Sequence, residues 1–333
     1  MALAYHITNS KANFSYIIPK AFTYSSNYAK IRSDLLENIE IIVDCGKVWV
    51  NVKLEVCIFC AEKFNLKNEY SSLKVVDGNF LDLGIIDKKL VNNFDFLVNG
   101  ISKDEINVGL KLNRFEKKLN DFVENKRGAI LQKYLSKNDL IPVIGGGDIN
   151  KYSVKSIKGY MNEKHLKDEK AFIKTNSILV QRLVAHITKP YDYIKITALI
   201  PNDKKFKIVD TINQLQIKNN NLSKEFMWSL LNSKLLNWYV YRFVFCKAIR
   251  TMQFDNPTTS KIPIVKPNYN KENDFKLLTN QILNAKAEDP AADTQALEDQ
   301  IDVLVYQLYG LTYAEVRTVD PDFEMSEVAY GKV

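Results

Sequence analysis

The sequence predicts an α/β amino-terminal part, then a mixed α+β region, then a helical end. Three observations carry this. Apolar runs of strand length alternate with a helical pattern over the first sixty residues, mixed strand-like runs follow from about Gly128 to Pro267, and 3.6-residue periodicity takes over in the last sixty. At 333 residues and 46% hydrophobic, the chain has enough apolar material to bury a core without disulfides.

Taken in order, Phe14 to Ile18 (FSYII) is an apolar run closed by Pro19, Ser25 to Leu36 has helical character, and Glu40 to Val43 and Leu54 to Phe59 read as buried strands. From Asn107 to Val123, Leu110, Leu112, Phe115, Leu119 and Phe122 recur near a 3.6-residue period with lysines between, which predicts an amphipathic connector helix. Next comes Ile141-Pro142-Val143-Ile144-Gly145-Gly146-Gly147-Asp148, whose glycines permit unusual backbone angles before a polar turn. Strand-like runs follow at Ile178 to Leu183, Tyr193 to Ile200 and Phe206 to Ile212. One long helix is predicted from Lys224 to Phe243, with Ser223 as its N-cap. In the helical end, Leu297, Ile301, Leu304, Val305 and Leu308 form a stripe, Gly310 is a C′ stop, and Thr312-x-x-Glu315 is a capping box.

Composition narrows the function. Ala287 to Val333 holds 11 acidic and 2 basic residues of the chain's 39 and 46, so the preceding body holds 28 and 44, a net of +16. A cationic body favours a polyanion such as nucleic acid through counterion release, although a merely lysine-rich composition gives the same balance. Cys45, Cys57, Cys60 and Cys246 are irregularly spaced, which predicts reduced core thiols and no metal framework. His6, His165 and His186 lie far apart with no nucleophile turn nearby. Without a secretory signal or a run of eighteen apolar residues, a cytoplasmic protein that does not span a membrane is expected.

Four pieces, in this order, resemble the C-terminal half of the adenine-specific (N6) DNA methyltransferases, including the Eco57I-like type IIG restriction-modification enzymes with a TaqI-like specificity domain. They are Tyr16-Ile17-Ile18-Pro19-Lys20 with Arg32 after it, Gly46-Lys47-Val48-Trp49 before an apolar strand, Ile141 to Tyr152, and Trp228 through Lys247-Ala248-Ile249-Arg250-Thr251-Met252-Gln253-Phe254-Asp255-Asn256 to Ile264. The resemblance implies an α/β fragment of a class I, Rossmann-like methyltransferase sheet in residues 1–65. A largely helical connector (66–127), an α+β target-recognition domain (128–270) and C-terminal helices (271–333) complete the expected domains. It implies double-stranded DNA as partner, with Trp49, in the place usually held by Phe, stacking on a flipped-out adenine.

The glycine-rich loop for S-adenosylmethionine and the Asn-Pro-Pro-Tyr-type turn of that family have no counterpart here, since the chain contains no Pro-Pro. Glu116-Lys117-Lys118 has no Pro-Asp ahead of it to make a nuclease site. The chain alone is therefore expected to be inactive and to hold no cofactor or metal, with S-adenosylmethionine serving a complete enzyme joined to a missing N-terminal methyltransferase half or subunit. Strand Phe14 to Ile18, interior in the family, would then expose an unpaired edge.

The DNA-binding candidates are Lys47 and Lys53 beside the flipped nucleotide, Gly146 in the opening turn of the recognition domain, and Lys151 and Lys155 as phosphate clamps. Arg182, Lys247, Arg250, Gln253 and Asn256 are of base-reading type, because Arg suits guanine and Gln or Asn suits adenine. Two bland alternatives stand beside these: Trp49 packs a sheet edge, and 247–256 is scaffold whose Arg and Asp pair with each other. A rival function is a standalone DNA-specificity subunit or a non-catalytic interaction protein.

Overall fold

The computed structural model describes Ile7, Asn9 and residues 11–49, 51–52, 54–64, 67–189, 192–218, 222–249 and 252–332. It divides into two compact units, Met1–Arg114 with Tyr239–Thr251, and Phe115–Trp238 with Met252–Val333.

The first unit is built on a sheet of β1 (Asn13–Pro19), β2 (Ile39–Gly46), β3 (Val56–Glu62), β4 (Glu69–Val76) and β5 (Asn79–Asp87), in spatial order β1-β3-β2-β4-β5. All neighbours run antiparallel except β2 and β4. Central β2 and β3 bury Ile39, Ile42, Val43, Val56 and Phe59, as strands covered by packing must. Phe59 stacks between Tyr16 at 5.9 Å and Phe22 at 5.6 Å. Helix α1 (Ala29–Leu35) links β1 to β2, and α2 (Lys89–Phe94) and α3 (Lys103–Asn113) follow β5. A Ser102/Glu105 capping box opens α3. Inside α3 a glycine is required at 109, because a Cβ there would stand 2.2 Å from the Phe243 ring.

The second unit starts with α4 (Leu119–Phe122) and β6 (Val123–Arg127), then β7 (Ile141–Ile144), β8 (Gly159–Met161), β9 (Ser177–Gln181), β10 (Ala185–Ile187) and β11 (Tyr193–Lys195). It continues with β12 (Ala198–Leu199), β13 (Lys207–Ile208) and β14 (Ile212–Ile217). These strands make a four-stranded sheet β12-β9-β14-β6, a three-stranded sheet β13-β7-β8 and a β10-β11 ribbon. Neighbouring β7 residues enter different cores: Ile144 joins Ile149, Leu179, Leu199 and Ile212, and Val143 joins Ala129, Met161 and Val209. The small sheet is thus buried on both sides, as strand alternation requires. Helices α5 (Lys224–Asn232), α6 (Lys234–Phe243), α7 (Asn256–Thr259), α8 (Tyr269–Glu288), α9 (Gln295–Leu308), α10 (Tyr313–Val319) and α11 (Glu327–Tyr330) complete the chain.

Three expectations are corrected. Residues 66–127 are not largely helical: they supply β4 and β5, joined by an Asp77-Gly78 turn with φ of 49° and 80°, the left-handed pair of a tight hairpin. The expected connector helix begins at Lys103 and stops at Asn113, short of Val123. The long helix 224–243 is two helices broken at Ser233, whose backbone is extended. The break has a structural use. Asn232 exchanges hydrogen bonds with the Ala198 backbone at 3.1 Å in both directions, Asn237 accepts from the Ile196 N–H at 2.6 Å, and Asp302 accepts from the Lys234 N–H at 2.8 Å to cap α6. A mixed α/β chain with several sheets is what the fold shows, with Ser223, Gly310 and Thr312 in their expected capping places. No helix among the described residues is long and apolar enough to cross a membrane.

Candidate nucleic-acid interface

One end of the four-stranded sheet in the second unit collects polar side chains from segments far apart in sequence. β6 ends at Arg127, β9 runs out into Arg182, and β14 begins after Asp210 and Thr211. The Arg182 N–H donates to the Thr211 carbonyl at 3.0 Å, and the Phe254 N–H donates to the Arg182 carbonyl at 2.8 Å, which lays residues 252–254 beside 182–184. Two carboxylates organise what projects from this frame. Asp255 accepts Arg182 Nε at 3.0 Å and Nη2 at 2.8 Å, and the same Nη2 donates to Gln253 Oε1 at 2.6 Å. Asp210 accepts Arg127 Nη2 and, at 2.7 Å, Gln132 Nε2.

Burial works to raise both carboxyls, but the donors outweigh it. Hydrogen bonds from Arg182 and Asn213 hold Asp255 below the usual carboxylate range, and those from Gln132 and Arg127 do the same for Asp210. Asp210 also feels the charge of Arg182, and Asp255 that of Arg127, so the two clusters share one surface. Asp210 thus holds both an arginine and a glutamine, and Asp255 holds an arginine that in turn holds Gln253. The Nη1 donors of Arg127 and Arg182 have no protein acceptor among the described residues, and Leu183 stands exposed beside them. Arg127 keeps its Nη1–Nη2 edge for a planar acceptor pair, whereas Arg182, both of whose Nη2 hydrogens are taken by Asp255 and Gln253, offers Nη1 alone; a held rotamer loses less entropy on binding.

Of the sequence-derived candidates, this surface unites Arg182 and Gln253. Asn256 opens α7 close by, its amide donating to the Asn125 carbonyl at 3.4 Å. Gly146 belongs to a turn whose amides are already engaged: Gly145 N–H with Asp148 Oδ2 at 2.8 Å and Gly146 N–H with Thr211 Oγ1 at 3.0 Å. A Cβ on Gly146 would meet the Thr211 carbonyl at 2.6 Å, so glycine serves close packing there. The turn does not fit a cofactor cradle. Lys151 is bound to Glu298 on α9, which also accepts Tyr152 Oη, and the Lys151 carbonyl accepts Trp228 Nε1 at 2.6 Å. Its ammonium ties the turn to the C-terminal helices, whereas Lys155 is exposed.

Lys247 is placed in the first unit, apart from Gln253 and Asn256 in the domain division. Its Nζ donates to the Gly100 carbonyl at 2.7 Å and lies 3.3 Å from Glu105, which also pairs with Arg242. Those contacts make it a clamp on the α3 terminus. Lys53 and Arg250 lie outside the described residues. Asp255 pairs with Arg182. That partnership joins residues 73 apart and leaves no local signal.

Trp49 lies on the turn from β2 to β3 and is 47% exposed, beside exposed Lys47 and Val48. The base of this turn is pinned by charges. Lys20 after β1, Asp44 on β2 and Glu55 before β3 are all buried, with Lys20 Nζ 2.7 Å from Asp44 and 3.6 Å from Glu55. Burial alone would lower the Lys20 pKa, but the Asp44 carboxylate outweighs it and holds the ammonium charged well above its ordinary range. Cys57 on β3 is an inert core thiol, its pKa pushed up to about 12 by burial and by Asp44.

No protein-family model matches the chain, and no curated protein matches it in sequence. Solved structures do match in fold. The chain aligns over 99% of its length, at TM-score 0.60 and 10% identity, with the type IIL restriction-modification enzyme MmeI, solved in complex with DNA. It spans about half of that enzyme, 51% of its chain. Weaker likenesses are to the type IIG restriction endonuclease BpuSI, at TM-score 0.43, 10% identity and 98% of this chain against 48% of that one, and to a type I restriction-modification S subunit from M. genitalium. For the S subunit the TM-score is 0.31 and the identity 11%, with 91% of this chain and 97% of that one covered.

Proposed function

We propose that this chain is the DNA sequence-recognition portion of a restriction-modification enzyme, and that the sheet-end clusters around Asp255 and Asp210 read bases in the major groove. The observation that carries this is the pair of Arg–Asp–Gln arrangements on one surface: arginine and glutamine are the side chains whose geometry matches guanine and adenine edges. The whole-length fold likeness to an enzyme solved on DNA supports it, as does the +16 body. Exposed Lys155 would contribute a phosphate contact that positions without specifying.

The finer reading is an adenine-N6 methyltransferase. The first unit would be the end of its catalytic sheet, and exposed Trp49, on a turn braced by Lys20, Asp44 and Glu55, would stack on an adenine turned out of the duplex. S-adenosylmethionine and the turn that holds the adenine amino group would come from another half or subunit, added along the open edge of β1. The rival, a standalone specificity subunit, shares the reading surface and lacks the methyl transfer.

Duplex binding by the purified chain separates reader from clamp. Arg182→Ala should keep non-specific affinity within about twofold and relax the preference at one base pair, a loss of about 1–3 kcal/mol for that site. Lys155→Ala should weaken all duplexes alike and reduce the salt slope by about one. Equal loss on every sequence for Arg182→Ala would reduce it to a phosphate contact or a scaffold.

A further inference from the structure

The C-terminal helices form a groove of about 940 Å3 that DNA reading leaves unused. It lies between α8, α9 and residues 320–325, inside the second unit. Its floor is apolar: Leu277, 60% exposed on α8, stands with half-buried Leu278, Phe323 and Met325. Exposed Asp274, Asp299, Asp322 and Glu324 rim it. The single cation in the lining, Lys234, is already neutralised, 2.8 Å from Asp320 and 3.8 Å from Asp299. Among the described residues, Asp274, Asp322 and Glu324 have no ion-pair partner.

We propose that this groove docks a basic amphipathic helix of a protein partner. A helix carrying apolar residues at i, i+3, i+4 and i+7 would cover the leucines, phenylalanine and methionine, and lysines or arginines flanking that stripe would meet the rim. Charge complementarity selects this occupant. The rim carboxylates Asp274, Asp299, Asp322 and Glu324, beside a C-terminal segment (287–333) of 11 acidic and 2 basic residues, give the groove a field that repels a duplex and attracts a cationic helix. The groove would let the partner and DNA bind the same chain on different surfaces, and it stands whether or not the sheet end reads bases.

The probe is a synthetic leucine-lysine peptide of about 18 residues, amphipathic as a helix, with a scrambled peptide of identical composition as control. Fluorescence anisotropy should show saturable binding to the full chain. The triple variant Asp274→Lys, Asp322→Lys, Glu324→Lys and, separately, Leu277→Asp should each weaken it by about tenfold or more, as should scrambling. These substitutions lie at surface positions, and circular dichroism checks the fold of each variant. Peptide-dependent protection from hydrogen exchange should map to 274–304 and 320–325. Equal binding of the scrambled peptide, or undiminished binding to either variant, would overturn the proposal. So would protection of the same segments by a duplex or by spermidine in place of the peptide, which would give the groove to nucleic acid or to a small polyamine.

Discussion

Lys20 shows how single residues set the geometry of the first unit. Its ammonium sits between two buried carboxylates at the ends of three adjacent strands, so each charge is tolerable only in company of the others. Lys20→Met should therefore destabilise the chain by about 3–5 kcal/mol in urea, because it leaves Asp44 and Glu55 buried together without a cation. A loss below about 1 kcal/mol would mean that water reaches the cluster. At this scale the sequence was partly legible. Arg182 and Gln253 were recognisable by type, but Arg127, Gln132, Asp210 and Asp255 were not, since their meaning comes from partners many residues away. Lys151 was expected as a phosphate clamp and Lys247 as a base reader, yet burial gave their ammonium groups to Glu298 and Glu105. Nothing in a lone lysine announces which of the two it will meet.

Among the elements, apolar periodicity found the strands FSYII and LEVCIF, and capping chemistry found the starts of α5 and α10. It failed where a side chain replaces a backbone partner. The pattern from Lys224 to Phe243 continues through Ser233 because both helices bury the same kind of face, and the break exists to aim Asn232 and Asn237 at the strand edge and to let Asp302 cap α6. The hairpin of β4 and β5 is announced in the sequence by Asp77-Gly78, the left-handed pair of a tight turn. Asp302 also makes stability depend on pH. Burial raises its carboxyl from 3.8 to about 7, so the fold favours the protonated form. The stability this gives is complete below about pH 4 and is lost as pH rises through 7. Asp302→Asn keeps an acceptor for the Lys234 N–H and removes the titration. It should raise the melting temperature at pH 8 by about 5 °C and leave it nearly unchanged at pH 4. A uniform shift at both values would assign the effect to packing.

At the scale of the whole molecule, charge is divided between a basic body and an acidic tail, and the two proposed surfaces follow that division: the sheet-end clusters in the second unit and the rimmed groove of the C-terminal helices. The order of segments was readable from sequence, but the division was not. The chain leaves the second unit within α6 and returns at Met252, so that the run from Lys247 to Asn256, continuous in sequence, belongs to two units. Local periodicity has no means of recording that exchange.

Selection from a randomised duplex library by the purified chain, at near-physiological salt with sequencing of what stays bound, tests DNA reading most directly. Base reading by preorganised Arg–Asp–Gln clusters predicts an enriched motif, since specific sites gain about 4–10 kcal/mol over non-specific DNA, and predicts that Arg182→Ala relaxes one position of it. Binding without enrichment, or no binding to duplex at all, would contradict it.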